Sequence, residues 1–293
     1  MKWLKLSCAV VASLAIALPV HAEELTGRLK RIKDNAIMVI SHAETTMPFS
    51  YVEGTTPLGF GVDISKRIAE SIRTRLELKE LRIRWNPVTL STRFPLITTN
   101  TTDLECVTTT HSVAREKLAA FSNSFYIAND GIAVRKESSI RGFADLAGKR
   151  VAVAQNTTTE AWLKSKAISA VIQTQRSNRA GMIALADGEV DAFVAATPIL
   201  AGQLLRLPDA NLFRIVNIGD VHEAFACMMP KDDPAYKAMV DQILADMMKS
   251  GEMERLYNKW FMQPIPPLGR VVGLPLDAEN RQLYLQPNDR PLQ

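Results

Sequence analysis

Twice along this chain a short apolar run ends in a cluster of threonines and passes at once into a helical pattern: DLECVTTTHSVAREK at residues 103–117 and RVAVAQNTTTE at residues 150–160. A strand that leads through a hydroxyl-rich turn into a helix is a unit of α/β architecture. It leaves backbone amides and side-chain oxygens at the helix start, where an anion is favoured. In the first unit Asp103 to Cys106 reads as the end of a strand, Thr108 to Thr110 as the turn, and residues 112–117 as the first turns of a helix. Arg115, five residues past Thr110, can turn its guanidinium toward the same point, and a planar fork of donors matches two oxygens better than a lysine does. Thr108, Thr110 and Arg115 are therefore a candidate carboxylate clamp; the plainer reading is a capped helix beside a surface arginine. In the second unit Thr157 and Glu160 form a capping box. Two such helix starts, one in each half of the chain, can close on one anion from opposite sides.

The ends of the chain say where it goes. Lys2 and Lys5 precede an apolar run at residues 9–18, and Val20, His21 and Ala22 follow it as a small-residue cleavage pattern, so residues 1–22 read as a secretory signal. That run is shorter than the roughly twenty apolar residues a spanning helix needs. Lys and Arg number 35 against 31 Asp and Glu; without Lys2 and Lys5 the balance is 33 to 31. So even a balance gives no basic face for nucleic acid or an anionic membrane. Cys106 and Cys227 remain in the mature chain, and export favours a disulfide between them, with two buried free thiols as the alternative.

Elsewhere strands and helices alternate. A strand at residues 36–41 leads into HAETTMPFSY, where Phe49 and Tyr51 either cover a ligand or pack the loop. PLGFGVD at residues 57–63 reads as a turn into a helix at 64–76, and its glycine pair lacks the third glycine of a dinucleotide loop. After a strand at 81–85, Arg93 stands near a helix start as a second candidate anion ligand. Methionines 239 and 247, with Val240, Ile243 and Leu244, make the apolar stripe of a helix at 233–250. The chain carries no nucleophile elbow, Walker loop or zinc helix, and His42, His111 and His222 have no metal-ligand spacing. No cofactor or metal is expected.

These segments together resemble the periplasmic solute-binding proteins of ABC importers for polar amino acids, most closely the glutamate/aspartate-binding branch. The resemblance runs over most of the mature chain: MPFSY at 47–51, TRFPLI at 92–97, the first threonine unit, FADLAGKRVAVAQNTTTE, CMMPKDDP at 227–234, SGEMERLYNKWFMQPIPP at 250–267 and PNDRPL at 287–292. It implies a two-lobe periplasmic binding protein-like α/β fold with two crossover hinge strands, near residues 124–128 and 219–223, and ligand in the interlobe cleft. Lobe 1 would comprise residues 23–125 and 222–293, and lobe 2 residues 126–221. The resemblance assigns the ligand α-carboxylate to Arg115, helped by Thr108, Thr110 and Thr158, and a side-chain carboxylate to Arg93, with Asn178 and Thr197 also at the site. It implies an inner-membrane ABC permease as partner, no nucleic acid, and a monomer that is not an enzyme.

The chain departs from that branch at Ala43, where an arginine is usual, at Leu90, where a serine is usual, and at Asn178, where a histidine is usual. The acid that pairs with the ligand ammonium falls at Ala196 or Thr197, and neither can carry negative charge. A desolvated ammonium without a counter-charge is costly. Two other readings therefore stand beside the amino-acid binder. One is a binder of a non-amino carboxylate or dicarboxylate. The other is an exported enzyme like the cyclohexadienyl dehydratases, for which Glu160 or Glu44 would be the general acid.

Overall fold

A computed structural model describes residues 25–166 and 168–291, with side chains except at 219–221. The secretory signal expected at residues 1–22, with cleavage after Ala22, lies outside the described residues. Helix α1 (Gly27–Asn35) buries Leu29 and Ile32 and stops at Ala36, which turns left-handed at φ 50°. It delivers the chain to β1 (Ile37–Ala43), whose middle five residues are all buried, as a strand covered on both faces requires. A small antiparallel ribbon follows: β2 (Thr45–Thr46), β3 (Ser50–Glu53) and β4 (Thr56–Leu58).

The next helix, α2 (Phe60–Arg75), begins four residues before the position expected from its apolar pattern. The cause is close packing. A Cβ on Gly61 would lie 1.8 Å from the Cys106 carbonyl oxygen, so only a bare glycine lets the helix start against that backbone. Strand β5 (Arg82–Val88), helix α3 (Arg93–Thr98) and the short β6 (Leu104–Glu105) complete this half, with β5 and β6 flanking β1 in parallel. The helix after the first threonine cluster, α4 (Val113–Glu116), is a single turn rather than the longer helix the sequence suggested. Ser112 makes no side-chain cap there.

Strand β7 (Ala120–Arg135) is 16 residues long. At about 3.3 Å per residue it is far longer than one lobe needs. Beyond it come β8 (Arg150–Ala154), α5 (Thr158–Ser165), β9 (Val171–Gln175), α6 (Asn178–Ala186), β10 (Ala192–Ala196) and α7 (Thr197–Leu204). The 17-residue β11 (Phe213–Met229) then returns antiparallel to β7 along its length. The eight-stranded sheet has the order β5-β1-β6-β11-β7-β10-β8-β9. Parallel strands of one lobe thus lie on one flank, those of the other lobe on the opposite flank, and β7 and β11 pass between. Their pairing breaks where Asn217 faces Gly131 and His222 faces Asn129, which leaves residues 218–221 opposite Asp130.

Helices α8 (Pro234–Lys249), α9 (Glu252–Phe261) and α10 (Ala278–Leu285) pack back on the first lobe. The stripe of α8 is core: Val240, Ile243, Leu244 and Met247 are buried, and Met239 packs against them. Phe49 is fully buried and meets Phe60, Tyr126, Phe225 and Phe261 edge-on, with ring centres 5.3–6.2 Å apart. Burying such a ring is worth about 2–3 kcal/mol. Phe49 and Tyr51 are packing residues, which leaves the polar groups beside them to face the cleft. None of the described helices is long and apolar enough to cross a membrane.

Candidate functional site

The first threonine turn is held by backbone, not by a helix. Cys106 is joined to Cys227 of β11 by a disulfide, Ala226 N donates to Thr109 O at 3.1 Å and His111 N to Ala224 O at 2.8 Å. Thr108, Thr109 and Thr110 are consequently buried in a fixed array beside β11. Arg115 folds back from α4 and donates to the Thr110 carbonyl at 3.0 Å. Arg93, at the first turn of α3, is buried and donates to the Thr109 hydroxyl at 3.1 Å, while that hydroxyl donates to Glu105 at 2.9 Å.

The second lobe brings α5 to the same place. Thr157 accepts from Glu160 N at 3.0 Å, and the Glu160 carboxylate accepts from Asn156 N at 2.7 Å, so the expected capping box closes one residue earlier than its usual return. This holds Asn156 left-handed at φ 57° and aims its carbonyl at the first lobe. Arg93 donates to that oxygen at 3.0 Å and Arg115 at 3.2 Å. Both guanidiniums also lie over the Phe94 ring, 5.6 and 5.5 Å from its centre. Two cations therefore converge on one acceptor at the lobe junction.

A cavity at this junction is lined by six of the seven residues singled out in the sequence: Arg93, Thr108, Thr110, Arg115, Thr158 and Asn178. Thr197 is not among them. Its hydroxyl is buried without a partner in the first turn of α7, where a Cβ on Gly131 would come within 2.9 Å of it. The cavity shares Leu90, Arg93, Thr108 and Asn178 with a larger one of about 530 Å³ that reaches Thr45, Arg176 and Arg179. That size suits a small-molecule ligand.

Three acids that the sequence reading left out of the site belong to it. Glu223 of β11 is buried and accepts from the hydroxyls of Thr110 and Thr158, the latter at 2.6 and 2.7 Å. Those two threonines therefore serve the protein's own carboxylate as well as facing the cavity. Glu105 is buried behind Arg93, and Asp130 of β7 accepts from Thr159 at 3.3 Å. Burial pushes the carboxyls of Glu105 and Glu223 upward, against the pull of the arginines and the threonine hydroxyls. Burial and then the charge of Glu223 push Asp130 up to about 8. Burial, and the like charge of Arg93, press Arg115 downward, yet a guanidinium stays protonated at neutral pH. The signal for Asp130 was a lone acid inside the long apolar run FYIANDGIAV; Glu223 carried no comparable mark. Glu160 is a cap partnered by Lys164 and Thr174, and its carboxyl lies below the usual range, so it does not suit the general-acid role considered for it. Among the described residues no group of His, Cys, Asp and Glu could hold a metal ion.

Two lobes on a pair of crossover strands, with cationic and hydroxyl groups meeting across the gap, define a cleft-type binding protein. Residues 38–263 match the model of the bacterial extracellular solute-binding proteins, family 3, and the chain belongs to that family. It is 34% identical to an L-glutamate/L-aspartate-binding protein of Pseudomonas aeruginosa, over 97% of this chain and 96% of that one. It is 32% identical to a glutamate/aspartate import solute-binding protein of Escherichia coli, over 90% of this chain and 89% of that one. Among solved structures it resembles an ancestral amino acid-binding protein described as a precursor of cyclohexadienyl dehydratase, with a TM-score of 0.70 and 26% identity over 79% of this chain and 98% of that one.

Proposed function

We propose that this protein is the periplasmic substrate-binding component of an ABC importer and carries an acidic amino acid, glutamate or aspartate, to an inner-membrane permease. The observation that carries the reading is the convergence of Arg93 and Arg115 on one acceptor between the lobes. In the structure that acceptor is the Asn156 carbonyl. A ligand carboxylate is a stronger acceptor for the same donors, so it displaces the carbonyl and gives the lobes a reason to close around it. On this reading Arg115 takes the α-carboxylate with Thr108, Thr110 and Thr158, Arg93 takes the side-chain carboxylate, and Asn178 lines the wall. Thr197 could join them only if α7 shifted its first turn. The division into lobe 1, residues 23–125 and 222–293, and lobe 2, residues 126–221, is supported by the break in β7–β11 pairing between Asn217 and His222. The near balance of charge supports a protein that binds no nucleic acid; we read it as a monomer from the family resemblance.

Titration calorimetry of the mature protein with L-glutamate, L-aspartate and L-glutamine tests this. The acidic amino acids should bind in preference to glutamine, and R115A should lose at least 100-fold in affinity, about 3 kcal/mol. Failure of the parent to bind either acid defeats the proposal. One observation favours a second reading as an enzyme: Asp130 is a buried acid with a raised pKa, the kind of group that donates protons in catalysis. Turnover of prephenate or arogenate would establish it; absence of turnover with tight glutamate binding leaves the transport reading alone.

A further inference from the structure

Asp130 takes no part in the carboxylate clamp. It is fully buried midway along β7, its Oδ1 has one partner, the Thr159 hydroxyl at 3.3 Å, and its Oδ2 has none. Buried polar atoms are nearly always satisfied, so an orphan of this kind calls for an explanation. Its surroundings are those of the cleft. On one side β10 sets Ala196 directly opposite, and facing residues of antiparallel strands put their side chains on the same face. Ala196 lines the clamp cavity, as does Thr159. On the other side the register of β11 against β7 shifts between Asn217 and His222, the stretch that flanks Asp130. Consecutive residues of α5 hold the two acids: Thr158 bonds Glu223 and Thr159 bonds Asp130.

We propose that Asp130 is the counter-charge for a primary ammonium on the ligand, supplied across the strand pair from Ala196. The inference rests on the reading of the site as a binder of acidic amino acids and adds which residue of this chain pairs with the ligand's amine. The partners of the three acids support it. Glu105 and Glu223 feel the charge of Arg93 and Arg115, whereas the side chain of Asp130 bonds only the Thr159 hydroxyl and keeps one oxygen free. Thr159 is next in α5 to Thr158, which the reading assigns to the ligand carboxylate, so neighbouring residues serve the carboxylate and the Asp130 side of the site. Glu223 of β11 is the charged group acting on Asp130, while α5 offers it Thr159 and β10 offers Ala196.

Titration calorimetry at pH 7 with L-glutamate against glutarate, and L-aspartate against succinate, tests the proposal. The parent should bind the amine-bearing member of each pair at least 100-fold more tightly. D130N should shrink that ratio at least tenfold without weakening glutarate, and the exchange D130A/A196D should restore it. If D130N does not fold, the exchange variant and the parent still decide the matter, because glutamate binding by the parent should release up to one proton at pH 7 as Asp130 ionises, whereas glutarate should release none. Equal affinity of the parent for glutamate and glutarate, an unchanged ratio in D130N, or no proton release on glutamate binding overturns the inference and leaves the acidic-ligand reading standing. If the parent binds none of the four, that reading falls and the inference falls with it.

Discussion

Arg93, Arg115, Glu105, Glu223 and Asp130 put five ionisable side chains at one junction, and their burial makes each sensitive to its partners. Removing a partner from a buried charge is far more costly than never having placed the charge there. Asp130 is the exception, since one of its two carboxyl oxygens has no hydrogen-bond partner. Its folded pKa stands above its unfolded one, so the folded state holds the proton more tightly. The stability it contributes is complete below the unfolded value and is lost as pH rises through about 8. D130N should therefore melt with the parent near pH 4 and above it by pH 8, by about 1–3 kcal/mol of stability. Calorimetric melts of both proteins across that range, without ligand, check the sign. A difference that shrank with rising pH would contradict the assignment.

At the scale of elements, the cap of α5 does two things at once. Thr157 and Glu160 close the helix start, and through Asn156 N they set the carbonyl on which both arginines converge. T157A should cost about 1 kcal/mol of stability, as lost caps do, and should also alter ligand affinity although Thr157 need not touch the carboxylate. Circular dichroism melts with parallel ligand titrations separate the two effects. The contrast with α4 is instructive. Both threonine clusters read alike in sequence, but only α5 became a helix with a working cap. The other turn gains its order from the Cys106–Cys227 bridge and from backbone bonds to β11, partners more than a hundred residues away.

For the whole molecule, closure is recorded on both lips of the cleft. On one, the side chain of Gln155 donates to Ser91 at 2.9 Å. On the other, Gln203 donates to the Thr45 carbonyl at 2.7 Å, and α7 lies so close to the Met47–Pro48 peptide that a Cβ on Gly202 would sit 1.9 Å from the Met47 oxygen. G202A should prop the lobes apart. The expected result is at least a tenfold loss of ligand affinity with little change in the melting temperature of the unliganded protein, and a larger radius in solution scattering when ligand is added. A variant that bound like the parent would show that α7 and the Met47 loop do not limit closure.

What the sequence by itself determined were the local units and their polarity: strands that end in threonine turns, helix caps, the apolar stripe of α8, and the two arginines whose planar donors suit an acid. These are legible because hydrogen-bonding geometry and periodicity act over a few residues. Of the seven residues named for the site from these patterns and from the family resemblance, six line one cavity. The tertiary structure alone decided that Thr110 and Thr158 are held by Glu223, that Thr197 stands outside the cavity, and that an acid absent from β10 is present on β7 opposite Ala196. Strand register places those groups, and register is a property of the assembled sheet: a residue's neighbour across a ladder lies tens of positions away in the chain, where no local pattern can point to it.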